Sequence, residues 1–521
     1  MIAQNQINKQ WLSQRRLMVY GVLGLVVVTL TMLMFFRLDG FATLRHDEGS
    51  YLHVAKNYAL HGIYADSSSE GYRFTGPVVS TGPTVIVPIA LLYKLFGVSM
   101  PLARAVIVIY GCGMIAALYW LGCVLSNARL AVVATGLALL SPGLDFFYYS
   151  RHVLGEVPGL FFILTGLALW LYRDRHSTWS LVGVGVLMGL ASITKNQYAV
   201  FVLPSLGLAW IVDRVWHRQR DWRYGLIPIV IAGLIYLVWT YYVLFLLGAN
   251  MRNPQQDLEE LRSAGQSGFL VLHAQTLGDN LYRITGDKVY GGLFVAALIY
   301  GFTLSYHRDK DSQTWCTLWI FLVTSAGFYV VSVGWDRFAV PAITFSAFFV
   351  AHLLYRLTDG YHFDWSALRQ SVLDTRELRQ RELVYLVVMS FGVVAVVLPL
   401  FRTVSNTMAA GDRIPYQVAD YIANNVPQDA LIETWEMELG VISDHTFHYP
   451  PQVIESYSNV DFRSGPTGKE LYDFRDYVDP EYVIVGPFGK MTGIYTPERL
   501  ANYQLVRSIG TYDIYRRLGY E

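Results

Sequence analysis

The amino-acid sequence predicts a polytopic α-helical membrane protein with about eleven transmembrane helices, and at most about thirteen. Interfacial helices are expected in its first outer loop and a small α/β domain at its C-terminus. Three observations carry this. Of 521 residues, 53% are hydrophobic and only 15% charged, against roughly 25% charged in an average soluble domain. The mean hydropathy is +0.34. The apolar residues fall in separate runs of about 16 to 24, the length that crosses a bilayer as a helix.

The first run, 17–36, follows Lys9, Arg15 and Arg16. It is too long for a signal-peptide core, and Phe35-Phe36-Arg37 follows where a cleavage site would need small residues. An uncleaved first helix is expected. Further runs cover 102–125, 130–147, 157–172, 179–194, 198–212, 225–247, 290–306, 315–332, 338–355 and 384–401. The stretch 83–97, with Pro77, Pro83 and Pro88 nearby, is either a twelfth span or a helix lying in the interface.

Charge decides between these. If 83–97 does not cross, every loop on one side is basic. Those loops hold Lys9, Arg15, Arg16; Arg129; Arg173, Arg175; Arg214, Arg218, Arg220, Arg223; Arg308, Lys310; and Arg356, Arg369, Arg376, Arg379, Arg381. Cytoplasmic loops are expected to be enriched in this way. The N-terminus is then inside, and segments 37–101, 248–289 and 402–521 are outside. Residues 1–401 form the membrane domain with its two outer loops, and 402–521 the extracytoplasmic domain.

Segment 402–521 is rich in Asp, Glu, Tyr and Pro. Tyr416–Asn424 has helical spacing, Ala430–Thr434 and Tyr482–Val485 read as buried strands, and Tyr503–Ile509 with Thr511–Arg516 as a hairpin around Gly510. No internal repeat is visible. With 40 basic and 40 acidic residues, no basic field favours nucleic acid. Cys112, Cys123 and Cys316 all lie in apolar runs, as small buried thiols do, without metal-ligand spacing or a disulfide framework.

The ionisable residues of interest gather at the outer ends. Asp47 and Glu48 follow Arg45-His46, and Leu52, Ala55 and Ala59 continue a helical pattern. The plain reading is two acids opening an interfacial helix, where they complement its dipole. The functional reading is a general base for an acceptor hydroxyl, with His46 and Tyr51 in support. Glu156 lies at the next outer junction: plainly a polar turn before Pro158, functionally a second acid facing the same cavity. Lys195, Arg337 and Arg151 are outward cations. Singly each could snorkel to the interface; jointly they suit a phosphate. Asp47 and Glu156 could share a divalent metal, but no His cluster supports them. His46, His61, His152 and His273 match no strong metal motif.

Several short motifs recur in a familiar order: Asp47-Glu48-x-x-Tyr51, Ser80-Thr81-Gly82-Pro83, Leu92-Tyr93-Lys94-Leu95-Phe96-Gly97, Arg104, Leu140-Ser141-Pro142, Tyr149-Ser150-Arg151 with Glu156, Thr194-Lys195 and Arg337-Phe338-x-x-Pro341. This order resembles the GT-C integral membrane glycosyltransferases of the protein O-mannosyltransferase and lipid A aminoarabinose transferase (family 39-like) group, over about residues 10–360. The resemblance implies an inverting transferase that takes a sugar from a polyprenyl-phosphate donor. The acceptor would be a glycolipid, polysaccharide or protein hydroxyl on the outer face. It implies Asp47 as base with Glu48 and Glu156 beside it, and Lys195, Arg337 and Arg151 at the donor phosphate. The family's basic residue before the second interfacial helix is missing at Thr81-Gly82-Pro83, and Arg73 is a candidate substitute.

A secondary transporter or a flippase of a lipid-linked saccharide would also be polytopic. A transporter should show repeat symmetry and polar breaks near the midplane. A membrane scaffold would need no such carboxylates. Topology is testable: a cysteine placed near Asp66 is expected to react with an impermeant thiol reagent added outside, and labelling from the cytoplasmic side alone would refute the arrangement.

Overall fold

A computed structural model of the chain describes residues 31–40, 42–74, 81–141, 143–172, 177–218, 221–250, 271–286, 292–361, 413–451 and 472–519, with scattered positions elsewhere. Most of the expected spans 17–36 and 384–401 lies outside the described residues, as do Ser80, Pro142 and all of 251–270.

Helix α1 (His46–His61) begins with Asp47 and Glu48 in its first turn and ends at Gly62. A two-stranded antiparallel ribbon follows, β1 (Asp66–Ser68) and β2 (Gly71–Arg73). Helix α2 (Pro83–Phe96) carries proline in its first turn, where the missing N–H costs nothing. Its Val85, Ile86, Ile89 and Tyr93 are buried in a small core with Leu44, Leu52, Ile107 and Val153. Leu91, Leu95 and Phe96 on its other side are exposed.

The helical bundle comprises α3 (Met100–Leu125), α4 (Ala128–Leu140), the short α5 (Phe146–Tyr149), α6 (Glu156–Leu171), α7 (Thr178–Thr194), α8 (Asn196–Val215), α9 (Arg223–Asn250), α10 (Ala274–Thr285), α11 (Leu293–Ser305), α12 (Lys310–Val331) and α13 (Val340–Leu357). Among the described residues, five helical stretches, starting at Met100, Asn196, Arg223, Lys310 and Asp336, are long and apolar enough to cross a membrane, and α2, α4, α6, α7 and α11 are shorter apolar helices. The architecture is that of a multi-pass membrane protein. One expected span changes: 130–147 is two pieces, because α4 stops at Leu140 and Ser141 is extended at ψ 124°. Ser141 precedes Pro142, and the proline ring drives the preceding residue out of the α region. The amphipathic α10 was not expected at all.

Small residues let the helices close on each other, as is usual where lipid removes the hydrophobic drive for association. Helix α7 packs along α9 through Gly185 and Gly189. A Cβ at Gly185 would lie 2.6 Å from Ile231 Cβ and 3.1 Å from Pro228 Cα; one at Gly189 would lie 3.2 Å from Ala232 Cα.

The C-terminal unit is a five-stranded sheet in the order β4-β3-β5-β7-β6. Its strands are β3 (Leu431–Thr434), β4 (Thr446–His448), β5 (Tyr482–Val485), β6 (Tyr503–Ile509) and β7 (Tyr512–Arg517). β3 is parallel to β4 and β5, while β7 is antiparallel to β5 and β6. Helix α14 (Ile414–Asn425) covers one face, where Val418 and Ile422 meet Ile432, Ile484 and Ile514. The other face buries Trp435, Tyr472, Phe474 and Val483. Strands alternate their side chains, so Val483 and Ile484 serve opposite cores. The helix, both buried strands and the hairpin turning at Gly510 (φ +57°) follow the expectation; the edge strand β4 was missed. Two short helices, α15 (Leu439–Ile442) and α16 (Pro487–Thr492), complete the unit.

Forcing the α7–α9 contact apart should be costly. Gly185→Leu is expected to destabilise the purified protein by about 1–3 kcal/mol, read as a lowered thermal midpoint in detergent.

Candidate active site

Helix ends collect four charges at one end of the bundle. Asp47 comes from the first turn of α1, Glu156 from the first turn of α6, Lys195 from the residue between α7 and α8, and Arg337 from a 3-10 turn (Asp336–Ala339) before α13. Arg337 pairs with Asp47 and Lys195 pairs with Glu156, both in close contact. Arg337 Nε also lies 3.9 Å from Glu156 Oε1. The result is an alternating chain Asp47–Arg337–Glu156–Lys195 with balanced charge. Lys195 and Glu156 have side chains 1% and 0% exposed, whereas Asp47 is 42% exposed. The buried end is closed and the Asp47 end meets solvent.

The local sequence explains how each is held. Lys195 is extended, at φ −144° and ψ 117°, between two helices. It forms a β-bridge with Thr81, next to Gly82 N–H donating to Thr194 O at 2.9 Å. Thr84 and Thr194 hydroxyls join at 2.7 Å. The Thr81-Gly82-Pro83 stretch therefore seats the Lys195 backbone. Tyr198 OH donates to the Glu156 carbonyl at 3.0 Å. The turn bearing Arg337 is braced by α10: Asn280 Nδ2 donates to Val330 O at 3.1 Å and Ser332 O at 2.9 Å.

Asp47 and Glu48 have opposite fates. Glu48 is buried and accepts from Arg104 Nε at 2.9 Å and Nη2 at 2.6 Å, and from Val153 N–H at 3.1 Å. Burial opposes its charge, but Arg104 and His152 outweigh burial and hold its pKa below the usual value. Asp47 also feels burial first, yet Arg337, His46 and Lys195 together hold its carboxyl at about 2. Tyr51, four residues on, adds to the field at Arg337, so Asp47 and Tyr51 share the face that looks at that cation.

The other sequence candidates lie apart from the chain of charges. Arg151 is buried and donates to the Phe36 carbonyl. His46 packs on the C-terminal sheet unit, its Nδ1 2.8 Å from Trp435 O. Arg73 pairs with Asp66 at 2.9 Å and reaches Pro450 O at 3.1 Å, so it fastens the β1–β2 ribbon to that unit. Among the described residues, no group of three or more His, Cys, Asp or Glu is arranged to hold a metal ion. Sequence reasoning missed the Arg104–Glu48 pair, although Arg104 was in view. It also missed Glu436 and Glu438, buried in the C-terminal unit beneath α1, with pKa values pushed up to about 7 and about 8 by burial, that of Glu438 also by the charge of Glu436.

Several polar atoms at the site are buried without a hydrogen-bond partner among the described residues: Glu156 Oε2, Arg337 Nε, Gln197 Oε1 and Thr81 Oγ1. Buried polar groups are normally paired. Beside two cations, these atoms give the site hydrogen-bonding capacity for a polar ligand.

The same fold occurs in solved structures of two other proteins. ArnT from Cupriavidus metallidurans in the apo state matches with a TM-score of 0.62 at 15% identity, over 95% of this chain and 98% of that one. The same protein bound to undecaprenyl phosphate matches at 0.61 and 16%, with the same coverage. The oligosaccharyltransferase of Archaeoglobus fulgidus matches at 0.56 and 14%, over 95% of this chain and 74% of that one. At these identities the likeness is one of fold. No protein-family model and no curated sequence matches the chain.

The pair beneath Asp47 gives a stability prediction. Arg104→Met leaves the buried Glu48 carboxylate without its guanidinium partner, and breaking such a pair from one side typically costs about 3–5 kcal/mol. Thermal unfolding should show that loss, and an unchanged midpoint would mean the pair does not anchor α1.

Proposed function

We propose that this chain is a glycosyltransferase of the outer membrane face. It would move a sugar from a polyprenyl-phosphate donor to an acceptor hydroxyl with inversion at the anomeric carbon. The chain of charges Asp47–Arg337–Glu156–Lys195 carries this reading, because it sets two cations beside a half-exposed carboxylate at a helix-lined membrane interface. The match to ArnT bound to undecaprenyl phosphate supports the donor class. The eleven-span arrangement with a cytoplasmic N-terminus, and the division into a membrane domain 1–401 and an extracytoplasmic domain 402–521, are part of the same proposal.

The geometry supports a definite sequence of events. The donor phosphate enters beside Arg337 and Lys195 and competes with the carboxylates for them. As Arg337 turns to the phosphate, Asp47 loses its strongest partner and gains an anionic neighbour. Both changes raise its proton affinity from the low resting value. Asp47 then takes the proton of the acceptor hydroxyl while that oxygen attacks the anomeric carbon. The bond from that carbon to the phosphate oxygen breaks, and polyprenyl phosphate departs with its charge held by Arg337 and Lys195. Glu156 keeps Lys195 charged and in place. Glu48 positions α1 and does not touch the hydroxyl. Arg151, removed from the charge chain, is a third and weaker candidate for the phosphate.

Asp47→Asn keeps the shape and removes the charge. It is expected to lower turnover by about 10²–10⁴-fold with donor binding retained. Near-normal transfer in Asp47→Asn with none in Glu156→Gln would exchange their roles. Lys195→Ala and Arg337→Ala should each cost about 1.5–3 kcal/mol of a charge-assisted contact, roughly tenfold or more in transfer. Turnover of a soluble nucleotide sugar without any lipid donor would contradict the donor class. Because an ionised Asp47 is needed, kcat should fall as pH drops through its raised value in the donor complex, and kcat/KM for the donor should fall only at lower pH.

A further inference from the structure

The C-terminal sheet unit touches α1, and it does so at the residues flanking Asp47. With its proton on Nδ1, His46 donates to Trp435 O at 2.8 Å, and its ring stacks on Phe488 with centroids 3.8 Å apart and planes 13° from parallel. Gly49 lies directly against the backbone of Met437 and Glu438. A Cβ there would sit 2.5 Å from Glu438 Cα and 2.7 Å from the Met437 carbonyl carbon, so only glycine fits. About two turns further on, Lys56 donates to Gly440 O at 3.0 Å and Ser443 O at 3.3 Å. Past the helix, Ser69 N–H donates to Phe447 O at 2.8 Å. On the opposite side, Glu48 is tied into the helical bundle by Arg104 and Val153. The residue before Asp47 is thus fixed to the sheet unit, and the residue after it to the bundle.

We propose that the C-terminal domain is a positioning element of the active site: by holding His46 and Gly49 it sets the rotation and height of α1, so that Asp47 faces Arg337 and Glu156. His46 and Gly49 are positioning residues; Trp435 and Phe488 seat the first, and the backbone of Met437 and Glu438 the second. This rests on the reading of Asp47 as the base. The contact is tight: Gly49 meets backbone, the His46 ring stacks on Phe488, and hydrogen bonds at His46, Lys56 and Ser69 hold it. The stakes are set by catalytic geometry: a misplacement of about 1 Å costs on the order of 10²-fold in rate.

The test uses the full-length protein in lipid nanodiscs, with His46→Ala, Gly49→Val and, from the other side of the joint, Phe488→Ala. His46→Asn is the rescue variant, since its amide N–H can occupy the place of Nδ1–H. Two quantities are read: hydrogen exchange over residues 46–61, and kcat with donor KM. The three disruptive variants should exchange faster over 46–61 with no change over 100–125. They should lose about tenfold or more in kcat with donor KM within about twofold. His46→Asn should recover most of both. Wild-type exchange over 46–61 in the disruptive variants would overturn the proposal, whatever their kcat, and so would faster exchange with full kcat. A wild-type protein that transfers no sugar but shows the exchange pattern would refute the glycosyltransferase reading alone.

Discussion

A charge buried in an apolar surround must be matched, and the site end of this bundle is organised by that constraint. Glu156 and Lys195 are withdrawn from solvent, and either alone would be expensive there. Together they are neutral, and the neutrality extends through Arg337 to Asp47. None of the four can be treated singly. A fifth charge can enter only by exchange, which makes an anion that draws on Arg337 and Lys195 at once a fitting occupant. Glu156 Oε2 and Arg337 Nε have no hydrogen-bond partner among the described residues, so the closed chain leaves the site's hydrogen-bonding capacity incompletely used.

The fold delivers these four residues from distant parts of the sequence by one device. Each stands at or next to a helix end, where the backbone is released from helical pairing and a side chain can turn toward the bundle axis. The helices themselves are fixed by close contacts such as those at Gly185 and Gly189. Their ends then have little freedom. Where an end needed further bracing, another element supplies it: Asn280 of α10 holds the turn before Arg337, and the stretch around Thr81 and Gly82 holds Lys195.

Much of this was legible in the sequence because apolar runs and outward charges are local signals. The helices from Met100 to Leu357 lie close to where the runs placed them, and the hairpin at Gly510 and the buried strands Leu431–Thr434 and Tyr482–Val485 follow from short-range pattern. Asp47, Glu156, Lys195 and Arg337 were all in view as outward ionisable residues. What escaped depends on contacts between segments far apart. Arg104 is an ordinary helix-start cation until Glu48, 56 residues away, is placed against it. Helix α10 was hidden because an amphipathic segment beside a membrane lacks the long apolar run that marks a span. The β4 strand is three residues long, too short for its alternation to be distinctive. The docking of Trp435 and Phe488 on His46 leaves no trace in spacing at all.

The adjacent acids show why a dipeptide can carry two unlike duties. Successive residues on an α-helix diverge by about 100°. With α1 lying across the bundle's end, one of the pair must look toward the core and the other along the surface. Glu48, the longer side chain, looks inward, where reach is needed to meet Arg104 in two hydrogen bonds. Asp47, the shorter, stays half-exposed beside Arg337, where a short side chain moves less once its partner is drawn away. Exchanging the two would leave the inner cation beyond comfortable reach and put a flexible acid at the solvent edge. The anchor makes the orientation, and the orientation leaves the second carboxylate free to respond to what binds next to it.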